Sequence, residues 1–104
     1  MLAGFHPLAA EELNEAIAWY EQESFDCADK FYSDFSSTLE RCLMWPESGQ
    51  IYPEHDSKRI VRSSRIPHSQ YRIVYTVSDD TLWVLAVAHA RRRPGYWSKR
   101  EVTI

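Results

Sequence analysis

Two cysteines, three glycines and no apolar run of the ~20 residues that a membrane-crossing helix needs are the first things this 104-residue chain is short of. Each shortage excludes a class of protein. Cys27 and Cys42 carry no CxxC or HxxxH spacing around them, so a metal pair or a redox dithiol is not indicated. Both fall in a stretch of helical spacing, where 42 − 27 = 15 residues separate them by about 22 Å, beyond disulfide reach. They are read as small core residues. His6, His55, His68 and His89 are scattered singly, and neither a metal site nor a cofactor is expected. The opening MLAGFHPLAAEEL has no basic segment followed by a long apolar one, so no secretory signal is read and the chain is expected to be cytoplasmic. There are no repeats, linkers or low-complexity segments.

What is present is globular: 44% apolar residues, with four Trp, six Tyr and four Phe. The length fits one domain spanning residues 1–104. Charge is divided between the halves. Residues 1–57 hold two cations and twelve anions, 2 − 12 = −10, whereas residues 58–104 hold ten cations and three anions, 10 − 3 = +7. The two halves therefore build faces of opposite sign.

Hydrophobic period divides at the same place. From Leu8 to Glu23 the residues Ala9, Leu13, Ala16, Ile17 and Tyr20 recur at helical spacing. Pro7 suits a first turn, and Glu11 and Glu12 lie toward the positive end of the helix dipole. Phe31, Phe35, Leu39 and Cys42 continue that spacing from Ala28, with Asp26 as N-cap and Pro46 as the stop, and PESGQ reads as a loop. The second half changes to period two. Lys58–Ile66 is a first strand. Tyr71–Val77 is a second, with Tyr71, Ile73, Tyr75 and Val77 on one face. Asp79 and Asp80 make a tight turn, and Thr81–His89 is a third strand, apolar on both faces and so internal to the sheet. Met1–Phe5 forms a further short strand, brief enough to raise the question of an internal start. The expected fold is α+β, in the order (β)ααβββ, with a helical hairpin packed on one face of a small antiparallel sheet.

The cations collect around the strands and beyond the last one, in AVAHARRRPGYW. By strand parity Arg59, Arg65 and Arg72 fall on the face opposite the helices, which opens toward Arg91, Arg92 and Arg93. Two accounts stand side by side: arginines that merely solvate the second face of a sheet, or a surface for an acidic partner or phosphates. Tyr96 and Trp97 likewise either pack the tail onto the domain or touch a target. Trp19, Trp45 and Trp83 are read as core or hairpin-edge packing.

FHPLAAEEL, the paired helices, IPHSQYRIVYTV and above all VLAVAHARRRPGYW resemble the RelE/ParE superfamily of toxins from type II toxin–antitoxin modules, over essentially the whole chain. The pattern AHxRRxPxYW after an apolar strand is that of the ParE-like branch. The resemblance implies a toxin used in plasmid stabilisation and growth arrest, neutralised by a cognate antitoxin encoded in an adjacent frame. That antitoxin's C-terminal segment wraps the helical hairpin and sheet. RelE-like members cut mRNA on the ribosome with basic residues and a C-terminal tyrosine. On this chain that set would be Arg91, Arg93 and Tyr96, but the tyrosine position itself falls on Trp97. An indole cannot transfer a proton, and strand residues 59–66 supply arginines, which cannot act as bases near neutral pH. ParE-like members instead poison DNA gyrase, a binding activity, and the target-contacting residues would be Arg91, Arg92, Arg93, Tyr96 and Trp97. The remaining alternative is an inactive homologue that serves only antitoxin binding and operon autoregulation.

Overall fold

The computed structural model describes residues 1–52 and 59–102. Its elements are β1 (Leu2–Phe5), α1 (Pro7–Glu21), α2 (Phe25–Met44), a 3-10 turn (Pro46–Ser48), β2 (Gln50–Ile51), β3 (Val61–Arg65), β4 (Tyr71–Ser78) and β5 (Thr81–His89). The expected fold is there, with additions. β2 begins at the last residue of the stretch read as a loop and was not expected, because two residues carry no period to detect. β3 starts at Val61, and Lys58 lies outside the described residues. The five strands form one sheet in the order β1-β5-β4-β3-β2. It is mixed: β1 runs parallel to β5, Leu2 opposite Thr81 through Phe5 opposite Val84, while the other pairs are antiparallel.

Local chemistry sets the boundaries. His6 caps α1, its Nδ1 accepting from the Leu8 N–H at 3.1 Å, with Pro7 in the first turn. Burial, together with the nearby Arg100 charge, holds the His6 imidazole below its usual range, with Glu12 acting in the opposite direction. That shift favours the neutral ring, whose Nδ1 can accept from Leu8. The N-cap of α2 is Ser24, not Asp26; its hydroxyl accepts from the Cys27 N–H at 3.0 Å, and Asp26 sits in the first turn as a dipole partner instead. Cys27, at that exposed end, is not a core residue, whereas Cys42 is fully buried. Asp79 and Asp80 have φ of 50° and 61° and close the β4–β5 hairpin as read.

Core packing follows the stripes. Ala9, Ala16, Phe31, Phe35 and Cys42 meet Ile73, Tyr75, Leu82, Val84 and Val87 beneath the helices. β5 departs from simple alternation. Val74 pairs with Ala86 and Tyr75 with Val84, which leaves Leu85 as an extra residue in a bulge. Beyond it the faces exchange: Val87 joins Leu82 and Val84 under the helices, while Ala86 and Ala88 join Leu85 on the far side.

Gly4 lies against the Trp83 ring, where an added Cβ would fall 2.4 Å from Cζ3. Gly4→Ala is expected to cost about 1–3 kcal/mol by overpacking, read as a lower urea midpoint at unchanged slope.

Candidate functional site

Across the far face of the sheet lies the chain's own C-terminal tail. Val61, Val74, Leu85 and Ala86 form a second small core with Trp97, flanked by Tyr52, Ala88, Tyr96 and Val102. Trp97 is 1% exposed and meets Tyr52 edge-to-face at 5.0 Å. The far face is therefore not a basic sheet surface. Its middle is apolar and covered, since β5 is apolar on both sides and its second side must be buried as well.

A charged latch holds the tail. Glu12 accepts hydrogen bonds from two guanidinium nitrogens of Arg100 at 2.9 and 3.0 Å, from the Tyr96 hydroxyl at 2.8 Å and from the Val87 N–H at 3.1 Å. Arg100 also donates to the Leu85 carbonyl at 2.9 Å. The Arg100 and Glu12 side chains are only 11% and 12% exposed. One carboxylate thus joins α1, β5 and the tail. Burial disfavours the Arg100 charge, but the hydrogen bonds and charge of Glu12 outweigh it and raise the guanidinium further. Burial is also the largest of the causes that push the Tyr96 phenol far above its ordinary range, followed by the Glu12 hydrogen bond and charge.

Each arginine then has its place. Arg59 donates to the Arg100 carbonyl at 2.8 Å and so serves the tail. Arg65 and Arg72 are directly opposite across β3 and β4. Arg72 donates to Ser63 and Gln50, and Arg65 to the Ser69 carbonyl. This pair is the cationic end of the far face. Arg91, Arg92 and Arg93 are all exposed. The Arg92 guanidinium lies 3.9 Å from the centre of the Tyr96 ring. Neither Arg91 nor Arg93 has a carboxylate partner among the described residues. Tyr96 is half-buried, and Trp97 is enclosed, which closes its indole to target contact in this fold. The other tryptophans differ from expectation too: Trp19 and Trp45 stand 61% and 63% exposed.

Glu12 was legible in principle. It sits three residues after Ala9 and four before Ala16, on the buried stripe of α1, where a carboxylate requires a cationic partner. Dipole placement alone concealed it.

A second feature is an apolar groove of about 420 Å³ between the helices and β1, lined among others by Phe5, Leu13, Tyr32, Phe35, Leu39 and Leu43. No group of His, Cys, Asp and Glu among the described residues is arranged to hold a metal ion. No helix among them is long and apolar enough to cross a membrane.

The family model described as ParE toxin of type II toxin-antitoxin system, parDE, matches residues 4–94. The chain belongs to the ParE toxin family. No curated protein matches the sequence. Among solved structures, a chain of the chromosomal ParDE TA system from P. aeruginosa is similar, at a TM-score of 0.70 and 16% identity, covering 86% of this chain and 95% of that one. At that identity the likeness is one of fold, and the ParE fold is what the βααβββ core reproduces. The RRR segment of this toxin falls just inside the end of the family match, and Tyr96 and Trp97 lie past it.

Proposed function

We propose that this ParE-family toxin is neutralised by a cognate antitoxin lying along the α1–α2 groove, and that once freed it poisons DNA gyrase by binding. The observation that carries the choice of a binding toxin is the state of the tail. The Tyr96 hydroxyl donates to Glu12 and is pushed up, away from any use as a base near neutral pH. Its neighbour Trp97 is buried. What the tail offers to a partner is cationic: Arg91 and Arg93, exposed and without a carboxylate partner among the described residues. Such a segment suits contact with an acidic surface. The groove supports the antitoxin half of the reading, since Leu13, Leu39 and Leu43 rim it only partly buried and suit the apolar stripe of a partner segment.

The test is a plasmid assay with purified toxin, gyrase, ATP and relaxed DNA. Linear DNA accumulating after protease treatment, and suppressed by the antitoxin, is the expected result. No linear DNA at stoichiometric toxin would overturn gyrase as the target. Arg91→Ala with Arg93→Ala is expected to abolish both linear DNA and growth arrest while changing stability by no more than about 0.5 kcal/mol, the range of surface substitutions. Full toxicity in that double variant would remove the tail from the contact.

A further inference from the structure

At the end of the sheet where β4 begins and β5 ends, an open cleft of about 400 Å³ is lined by Trp19, Tyr20, Gln70, Tyr71, His89 and Arg91. Tyr71 and His89 are register partners, and the Ala90 N–H donates to the Gln70 carbonyl at 2.8 Å, so two strand ends make a fixed side of the cleft. The last turns of α1 supply the other. Tyr20 turns inward to stack on Phe31 at 4.8 Å. Trp19 does not, and the core does not need it; a flat indole face remains open to solvent.

Opposite the indole stand hydrogen-bond donors. His89 is held edge-to-face on Tyr71 at 5.0 Å. Its Nδ1 accepts from the Arg91 N–H at 3.0 Å, so in the neutral ring the proton sits on Nε2, which remains a donor. The guanidinium of Arg91 and the side-chain amide of Gln70 have no hydrogen-bond or ion-pair partner among the described residues. Glu15, one turn before Trp19 on α1, is close enough to act on the Tyr71 phenol. A ligand's negative charge is thereby directed to the Arg91 end and its ring to the Trp19 end.

We propose that this cleft binds a nucleoside phosphate, with the base stacked on Trp19 and the phosphate held by Arg91 and His89. A bare anion would leave the indole unused, and an apolar ligand would bury Arg91, Gln70 and His89 without partners. A flat ring joined to a phosphate satisfies both ends, in the manner of aromatic platforms combined with cations in nucleic-acid binding. The site does not rest on gyrase as the target, and a failed gyrase assay would leave it standing.

The experiment follows the four indole N–H resonances of the full chain, assigned by single Trp→Phe variants. AMP, a 5′-phosphorylated deoxyoligonucleotide and inorganic phosphate are titrated separately. A saturable shift of the Trp19 signal, with the Trp45 signal unmoved, is expected for the first two and not for phosphate. Trp19→Ala and Arg91→Ala, both surface changes checked for folding by circular dichroism, should weaken binding about tenfold or more, read by calorimetry. AMP binding as tightly as the oligonucleotide identifies a free nucleotide as the ligand. Tighter, salt-dependent oligonucleotide binding identifies a strand. No saturable Trp19 shift with either probe at millimolar concentration, equal shifts at Trp45, or variants that bind like the parent would overturn the site.

Discussion

Glu12→Ala is expected to destabilise the toxin by about 3–5 kcal/mol, the range for removing one partner of a buried ion pair. The loss has three parts that act together. Arg100 keeps its charge in a site where both side chains are almost enclosed, the Val87 N–H loses its acceptor, and the Tyr96 hydroxyl loses its own. Urea denaturation of the single variant measures the loss. Its control is Glu12→Met with Arg100→Met, which removes both charges and is expected to recover much of the stability, since apolar residues of similar volume replace buried pairs well. A double variant as unstable as Glu12→Ala would mean that geometry, not charge, holds the tail. The same variant has a pH signature. Tyr96 is raised above its ordinary value of 10.0 in the folded state, so the unfolded chain ionises first and the fold loses stability as pH rises past about 10. Without Glu12 that alkaline loss should shrink.

Trp97→Ala is expected to cost about 3–5 kcal/mol, as other large aromatics do when truncated in a core. The residue is 1% exposed and fills the space over Val61, Val74, Leu85 and Ala86. The consequence is more than a cavity. With the ring gone, residues 96–102 are held by the polar contacts of Glu12 with Arg100 and Tyr96 and of Arg59 with the Arg100 carbonyl, and the apolar second side of β5 is opened to water. Thermal unfolding measures the cost, and binding of an apolar dye by the native protein reports the uncovered face. Trp97→Phe retains a ring against Tyr52 and should lose clearly less. A variant with wild-type stability would place the tail's anchoring elsewhere.

How much of this was readable beforehand depended on the range of the forces involved. The helices were legible because Ala9, Leu13, Ala16, Phe31 and Phe35 repeat a period that only burial explains. β5 was legible to the residue, because an apolar run with an Asp-Asp turn before it and cations after it admits few other readings. The parallel pairing of β1 was not, since four residues carry no mark of direction. Nor was the tail: Glu12 and Arg100 meet across 100 − 12 = 88 positions, and local spacing contains nothing about such a meeting. Arg59, Arg65 and Arg72 were assigned a common face by parity alone. In the structure Arg65 and Arg72 pair directly, while Arg59 donates to the tail lying over that face. Trp19 and Trp45 illustrate the converse error. A tryptophan is read as core by its size, yet the apolar stripe of α1 was already complete with Ala16, Ile17 and Tyr20, which left Trp19 no place inside.

The extra residue at Leu85 governs the direction in which the end of β5 presents its side chains. Before it, the strand keeps one alternation; after it, the opposite one. Deleting Leu85 would remove the bulge and keep the present facing, but straightening the bulge with Leu85 retained would rotate AVAHARRRPGYW by half a turn about the strand axis. Ala86 and Ala88 would then face the helices, Val87 and His89 would face away, and the arginines would leave the sheet from the other side. The same motif thus has two possible addresses on this fold, and the bulge at Leu85 decides which one is used.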